Sequence, residues 1–172
     1  IYFYLLMLLA ATLPLSIFFT FVSQFLLVIK WGIEGRYAEK WRRITRNRAF
    51  QVYVIFYAVH ILGMLWSSDL QYGLRDLRIK LPLLVIPFVV VSSEDLSIRQ
   101  IRSILAAFIA GSMIGSLGSL LALLKWIPVE MDNYRNASLF ISHIRFSLMI
   151  VLSVMFSAYM FFKREAGERK YL

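Results

Sequence analysis

The chain has 172 residues, 60% of them hydrophobic and 17% charged, with a formal net charge of +9 and a mean hydropathy of +0.70. That balance excludes an ordinary soluble domain, and apolar runs that are continuous rather than alternating exclude an outer-membrane barrel. The lack of cysteine excludes disulfides and thiolate metal sites, and the basic residues gather at the ends of apolar runs, the pattern of cytoplasmic loops rather than of a nucleic-acid-binding face. The expected architecture is all-α: a polytopic helical membrane protein of about five to six transmembrane helices. It forms a single transmembrane domain that starts and stops inside membrane-like sequence, as the N-terminal part of a larger helical bundle would.

Residues 1–29 are apolar almost throughout and, as one helix, would measure roughly 43 Å, more than the hydrocarbon thickness of roughly 30 Å. Thr12, Pro14 and Ser16 interrupt the run, which predicts either a kinked span or a hairpin turning at 13–16, the hairpin being favoured. In 30–48, Lys30, Arg36, Lys40, Arg42, Arg43, Arg46 and Arg48 face only Glu34 and Glu39, which places this loop in the cytoplasm. Trp31 and Trp41 are interleaved with these charges, and WRRITRNR has the composition of a short basic helix lying on anionic headgroups.

The next span covers 49–66, with His60 as its polar exception, read as a hydrogen-bonding group to a neighbouring helix. A charged far-side (periplasmic) segment, 67–80, carries Asp69, Arg75, Asp76, Arg78 and Lys80, and a span over 74–92 follows that Pro82 and Pro87 should bend. Ser92 or Ser93 is expected to cap a helix with Glu94 and Asp95 in its first turn, leading to a span at 103–124. On that span Ala107, Gly111, Gly115 and Ser119 recur every four residues, a stripe that lets helices pack closely. A second periplasmic segment, 125–145, holds Glu130, Asp132, Arg135, His143 and Arg145 before the last span at 146–162. Thirteen Lys and Arg fall in the cytoplasmic segments and six in or beside the periplasmic ones, which fixes the orientation.

No phosphate-binding glycine loop, HExxH helix or nucleophile elbow is present, so soluble-enzyme chemistry has no foothold, and neither a cofactor nor a metal is expected. What remains is the ionisable far-side set. Arg75, Arg78, Lys80, Arg135 and Arg145 are the groups suited to a diphosphate, because guanidinium binds phosphate through two parallel hydrogen bonds and lysine adds a point charge. His143 is a candidate base, with Arg145 beside it.

At these residues the chain resembles a known family. GMLWSSDLQYGLRDLRIKLPLLVIP is similar to the early region of the O-antigen ligase and O-antigen polymerase superfamily, especially its Bacteroidetes-type members, and SHIRFSLMIVL resembles their later S-H-x-x-x-S stretch. The opening LAATLPLSIFFTFVSQFLLVIKW looks like the family's first hairpin. The resemblance implies a bacterial inner-membrane glycosyltransferase that takes a glycan from undecaprenyl diphosphate and passes it to lipid A-core or to a growing glycan on the periplasmic face. It implies metal-independent catalysis that relies on periplasmic arginine and histidine groups, some on a large loop of the family's second half. The resemblance places that loop outside the 172 residues and so implies that they are inactive alone. Two other classes compete: a transporter or permease fragment whose path is lined by His60 and the proline-bent helix, and a non-catalytic membrane scaffold dimerising through the glycine stripe.

Overall fold

The computed structural model describes residues 1–66, 69–124, 126 and 141–168, except for the side chains of Leu65 and of 164–168. Every regular element among the described residues is helical. In chain order these are α1 (Tyr2–Thr12), α2 (Ile17–Ile33), α3 (Tyr37–Arg46), α4 (Arg48–Gly63) with a short 3-10 turn (Met64–Trp66), α5 (Leu70–Lys80), α6 (Pro82–Ser92), α7 (Ile98–Leu123) and α8 (His143–Glu168).

α7 and the His143–Lys163 part of α8 are long and apolar enough to cross a membrane, and a third span results if α2 and α3, bent by 118°, count as one. The expected five to six are not reached by length and apolarity, because breaks divide the runs. The first run breaks at 13–16, where the turn was expected, around the fully buried Pro14, and the Thr12 hydroxyl donates back to the Leu8 carbonyl oxygen at 2.9 Å. The run at 74–92 divides at Pro82, which has no amide proton to bond the preceding turn, leaving two helices of 11 residues each. The run at 49–66 yields a helix of 16 residues.

The chain folds as two compact units, Ile1–Leu27 with Leu96–Leu172, and Val28–Asp95. In the first, Tyr2, Leu6, Leu9 and Ala10 are buried at the 3–4 residue spacing of one helix face, and α1 packs on α7. α7 also packs on α8, where the Phe108 and Phe156 rings meet edge to face at 5.6 Å. The cap of α7 is Ser97 rather than Ser92 or Ser93. Ser97 Oγ accepts from the Gln100 amide and Gln100 Oε1 from the Ser97 amide, a reciprocal capping box. Ser92 and Ser93 instead turn their hydroxyls back onto the Phe88 and Val89 carbonyls and finish α6.

In the second unit, α6 packs against α3, α4 and α5. Gly35 and Arg36 both adopt left-handed backbone, with φ of +67° and +52°, and this pair turns the chain from α2 into α3. Asn47 ends α3 and caps α4 by accepting from the Phe50 amide at 3.0 Å. Tyr57 Oη donates to the Leu77 carbonyl at 3.0 Å and ties α4 to α5.

Candidate functional site

The charged stretch 67–80, for which helix was expected only from residue 74, folds as helix α5 from Leu70. Asp69 is its N-cap, its carboxylate accepting from the Tyr72 amide at 3.0 Å, which accounts structurally for one of the charges. Asp76 and Lys80 pair across one turn at 2.6 Å, so the lysine is engaged within the helix. Arg75 and Arg78 are both exposed and, among the described residues, neither meets a carboxylate. Three residues apart on a helix, they are neighbours on one face with β-carbons about 5–6 Å apart. Two adjacent guanidinium groups in this arrangement can hold the oxygens of a single polyanion.

Immediately beyond them, α6 opens with Pro82 at its first position and carries Pro87 inside, with a sequence otherwise apolar to Val91. A cationic helix face therefore feeds directly into an apolar segment, the arrangement an amphipathic lipid with a charged headgroup needs. No family model, curated protein or solved structure matches the chain. The site stands on its own geometry.

The other candidates, which the sequence assigned to a second periplasmic segment, fall in the chain range of the first unit. His143 and Arg145 are exposed in the first turn of α8, and residues two apart point to different sides of a helix, so they do not form a joint cluster. The His143 carbonyl accepts from the Ser147 hydroxyl at 3.0 Å. Arg135 lies outside the described residues. No group of three or more histidine, aspartate or glutamate side chains suited to a metal occurs among the described residues. His60, expected to bond a neighbouring helix or else to line a transport path, instead has its Nδ1 2.9 Å from the Phe56 carbonyl oxygen one turn back on its own helix.

Sequence reading missed a polar knuckle in the second unit. Trp31 Nε1 donates to Ser92 Oγ at 2.7 Å, and the Trp31 ring packs on Phe88, which in turn meets Phe50. Lys40 is buried beneath it. Its ammonium donates to the Trp31 carbonyl at 2.6 Å, lies 3.2 Å from Glu34 Oε2, and sits over the Trp31 ring at 4.7 Å from its centroid. Lys30 donates to Glu34 Oε1 at 2.7 Å. That hydrogen bond from Lys30, helped by Lys40 and opposed by partial burial, holds the Glu34 carboxyl below its ordinary value. Arg43 donates to the Ser93 carbonyl at 2.7 Å and pairs with Glu39 at 2.9 Å. The nine-residue separation of Trp31 and Lys40 gives no helical periodicity to read, because the left-handed pair at Gly35 and Arg36 intervenes.

The small-residue stripe of α7 lies against neighbours from the same chain. A β-carbon on Gly111 would run into the Ala11 carbonyl oxygen and come 3.0 Å from Pro14, and one on Gly115 would come 2.8 Å from the Phe146 ring. Ala107 and Ser119 are half-buried. On another side of α7, a groove of about 650 Å³ runs between α7 and α8, lined by Ser112, Ser116, Ser153 and Ser157 among apolar side chains. Ser116, Ser153 and Ser157 donate to carbonyls one turn back, which leaves that wall apolar in character.

Proposed function

We propose that the Arg75 and Arg78 face of α5 binds the diphosphate of a lipid-linked glycan, and that the chain is the N-terminal part of a bacterial inner-membrane glycosyltransferase of the O-antigen ligase or polymerase type. The observation that carries this reading is the pair of guanidinium groups, without a carboxylate partner among the described residues, on one exposed helix face at the head of the apolar, proline-bearing α6. Undecaprenyl diphosphate carries its charge next to a long apolar chain, and this face joins the same two chemistries in the same order.

In this reading the glycan passes from undecaprenyl diphosphate to lipid A-core or to a growing glycan at the periplasmic face. Arg75 and Arg78 neutralise the diphosphate leaving group, with Arg135 and Arg145 as further cations on the same side of the membrane. The base that deprotonates the acceptor hydroxyl comes from His143 or from the remainder of the polypeptide. The additional spans are broken ones: α4 with its 3-10 turn extends about 30 Å, the thickness of the hydrocarbon layer. α5 with α6 and α1 with α2 complete the set as interrupted helices, which membrane proteins tolerate where neighbours satisfy the freed backbone groups.

Photo-crosslinking of a labelled undecaprenyl diphosphate glycan to the membrane-embedded chain tests the site. Arg75→Ala and Arg78→Ala should each weaken capture about tenfold, the loss expected for one charge-assisted hydrogen-bonding partner. Arg78→Lys should recover only part of it, since lysine keeps the charge but not the fork. Undiminished capture in both alanine variants would overturn the assignment.

A further inference from the structure

The basic residues of 30–48 look uniform in sequence, and the fold sorts them into two groups. Lys40 and Arg43 point inward, the first onto the Trp31 carbonyl and Glu34, the second onto the Ser93 carbonyl and Glu39. Together with the buried Ile44, they fasten one side of α3 to the second unit. Lys30 is paired with Glu34. Ala38, Trp41, Arg42 and Thr45, spaced as one helix face, are all exposed, with Arg46 at the rim of that face and Arg48 just past the Asn47 cap. Among the described residues, Arg42, Arg46 and Arg48 meet no carboxylate, and Trp41 is 65% exposed.

We propose that this outward face of α3 is a docking surface for anionic phospholipid headgroups, holding the helix flat on one leaflet of the membrane. Two observations choose this occupant. The first is direction: the apolar α2 leads into α3 through a bend of 118°, which is 28° past perpendicular. A helix that leaves the bilayer along its normal and turns by that amount is laid back along the surface rather than projected into water. The second is chemistry: Arg42 and Arg46, which meet no carboxylate among the described residues, lie with an exposed indole on the outward side of α3, and the indole ring favours the headgroup level while arginine favours phosphate. The anchoring of the inner face by Lys40 and Arg43 means that the outer arginines are presented on a fixed platform. This surface is independent of the diphosphate reading for α5 and requires only that the chain be embedded in a bilayer.

Because the chain contains no cysteine, Thr45→Cys gives a single attachment point for a donor fluorophore on this face. The labelled 172-residue chain is placed in nanodiscs of phosphatidylcholine with trace acyl-labelled acceptor lipid, either phosphatidylglycerol or phosphatidylcholine. Energy transfer should show enrichment of the anionic lipid by about fivefold per engaged arginine, decreasing with added salt. In Arg42→Gln/Arg46→Gln the enrichment should drop close to unity, while a reference donor at Gln71→Cys should be unaffected by that double substitution. Equal transfer to the two lipids in the parent chain overturns the proposal, as does enrichment that survives the double substitution. Tight binding of a soluble polyanion such as RNA to discs of pure phosphatidylcholine, lost in the same double variant, would assign the face to a soluble partner and overturn it equally.

Discussion

At 5% exposure, Lys40 occupies an environment in which an ammonium ion is unfavourable unless its charge and its donors are met. Three groups meet it: a carbonyl, a carboxylate and the face of an indole. Glu34 is the other half of the arrangement, held between Lys30 and Lys40, and its carboxyl is depressed in the folded protein. A group whose folded value lies below its unfolded one stabilises fully above the unfolded value and loses that contribution as pH falls towards the folded one. Unfolding of the detergent-solubilised chain should therefore be insensitive to Glu34 above the ordinary glutamate value of 4.5 and become easier as pH decreases below it. Glu34→Gln should lower stability at neutral pH and flatten that acid limb, read by tryptophan fluorescence. An unchanged acid limb in Glu34→Gln would show that the knuckle draws nothing from the carboxylate. None of this was visible in the sequence, where Lys40 counts as one more topology-setting charge; its burial follows from a backbone reversal at two left-handed residues, only one of which is glycine.

Three glycines on two helices, α7 and α4, differ in what surrounds them, and that difference sets the expected response to a methyl group. Gly111 faces the Ala11 backbone carbonyl, which cannot move without shifting α1; Gly115 faces a Phe146 ring edge, which can rotate; Gly63 has open space around it. Gly111→Ala should cost about 2–3 kcal/mol and Gly115→Ala about 1 kcal/mol by overpacking, whereas Gly63→Ala should be neutral or stabilising by up to about 1 kcal/mol through helix propensity. Equilibrium unfolding in detergent gives the order, and Gly111→Ala as stable as the parent would refute the close approach of α1 and α7. The four-residue spacing of the stripe was legible, since helical periodicity transfers directly from sequence to surface. The partners were not, because nothing in the spacing says whether a small-residue face meets its own chain or another copy. α5 shows the opposite limit: helix was expected only from residue 74, yet the Asp69 cap is a local signal for the earlier start at Leu70 that the density of charge obscured.

At the scale of the whole chain, apolar length fixes the class of the fold, while the number of crossings depends on how breaks are treated. α7 and α8 satisfy the length rule alone. α4 is short by itself, and α5 and α6 are shorter still, because Pro82 interrupts a run that composition alone makes continuous. Sidedness separates a crossing from a surface helix even where length does not. Thr45 on α3 and Gln71 on α5 are both exposed and are separated in the chain by α4. If α4 crosses the bilayer as proposed, these two positions lie on opposite sides, with Thr45 on the side that carries the denser basic sequence. In the cysteine-free chain, expressed in bacterial spheroplasts, Gln71→Cys should react with an impermeant thiol reagent from outside, and Thr45→Cys only after permeabilisation. Reaction of both positions from the same side would make α4 a surface or re-entrant helix and remove α5 from the periplasmic face, and the diphosphate site would go with it. The reversed pattern would keep the crossing but place Arg75 and Arg78 in the cytoplasm, where a periplasmic glycan transfer has no use for them.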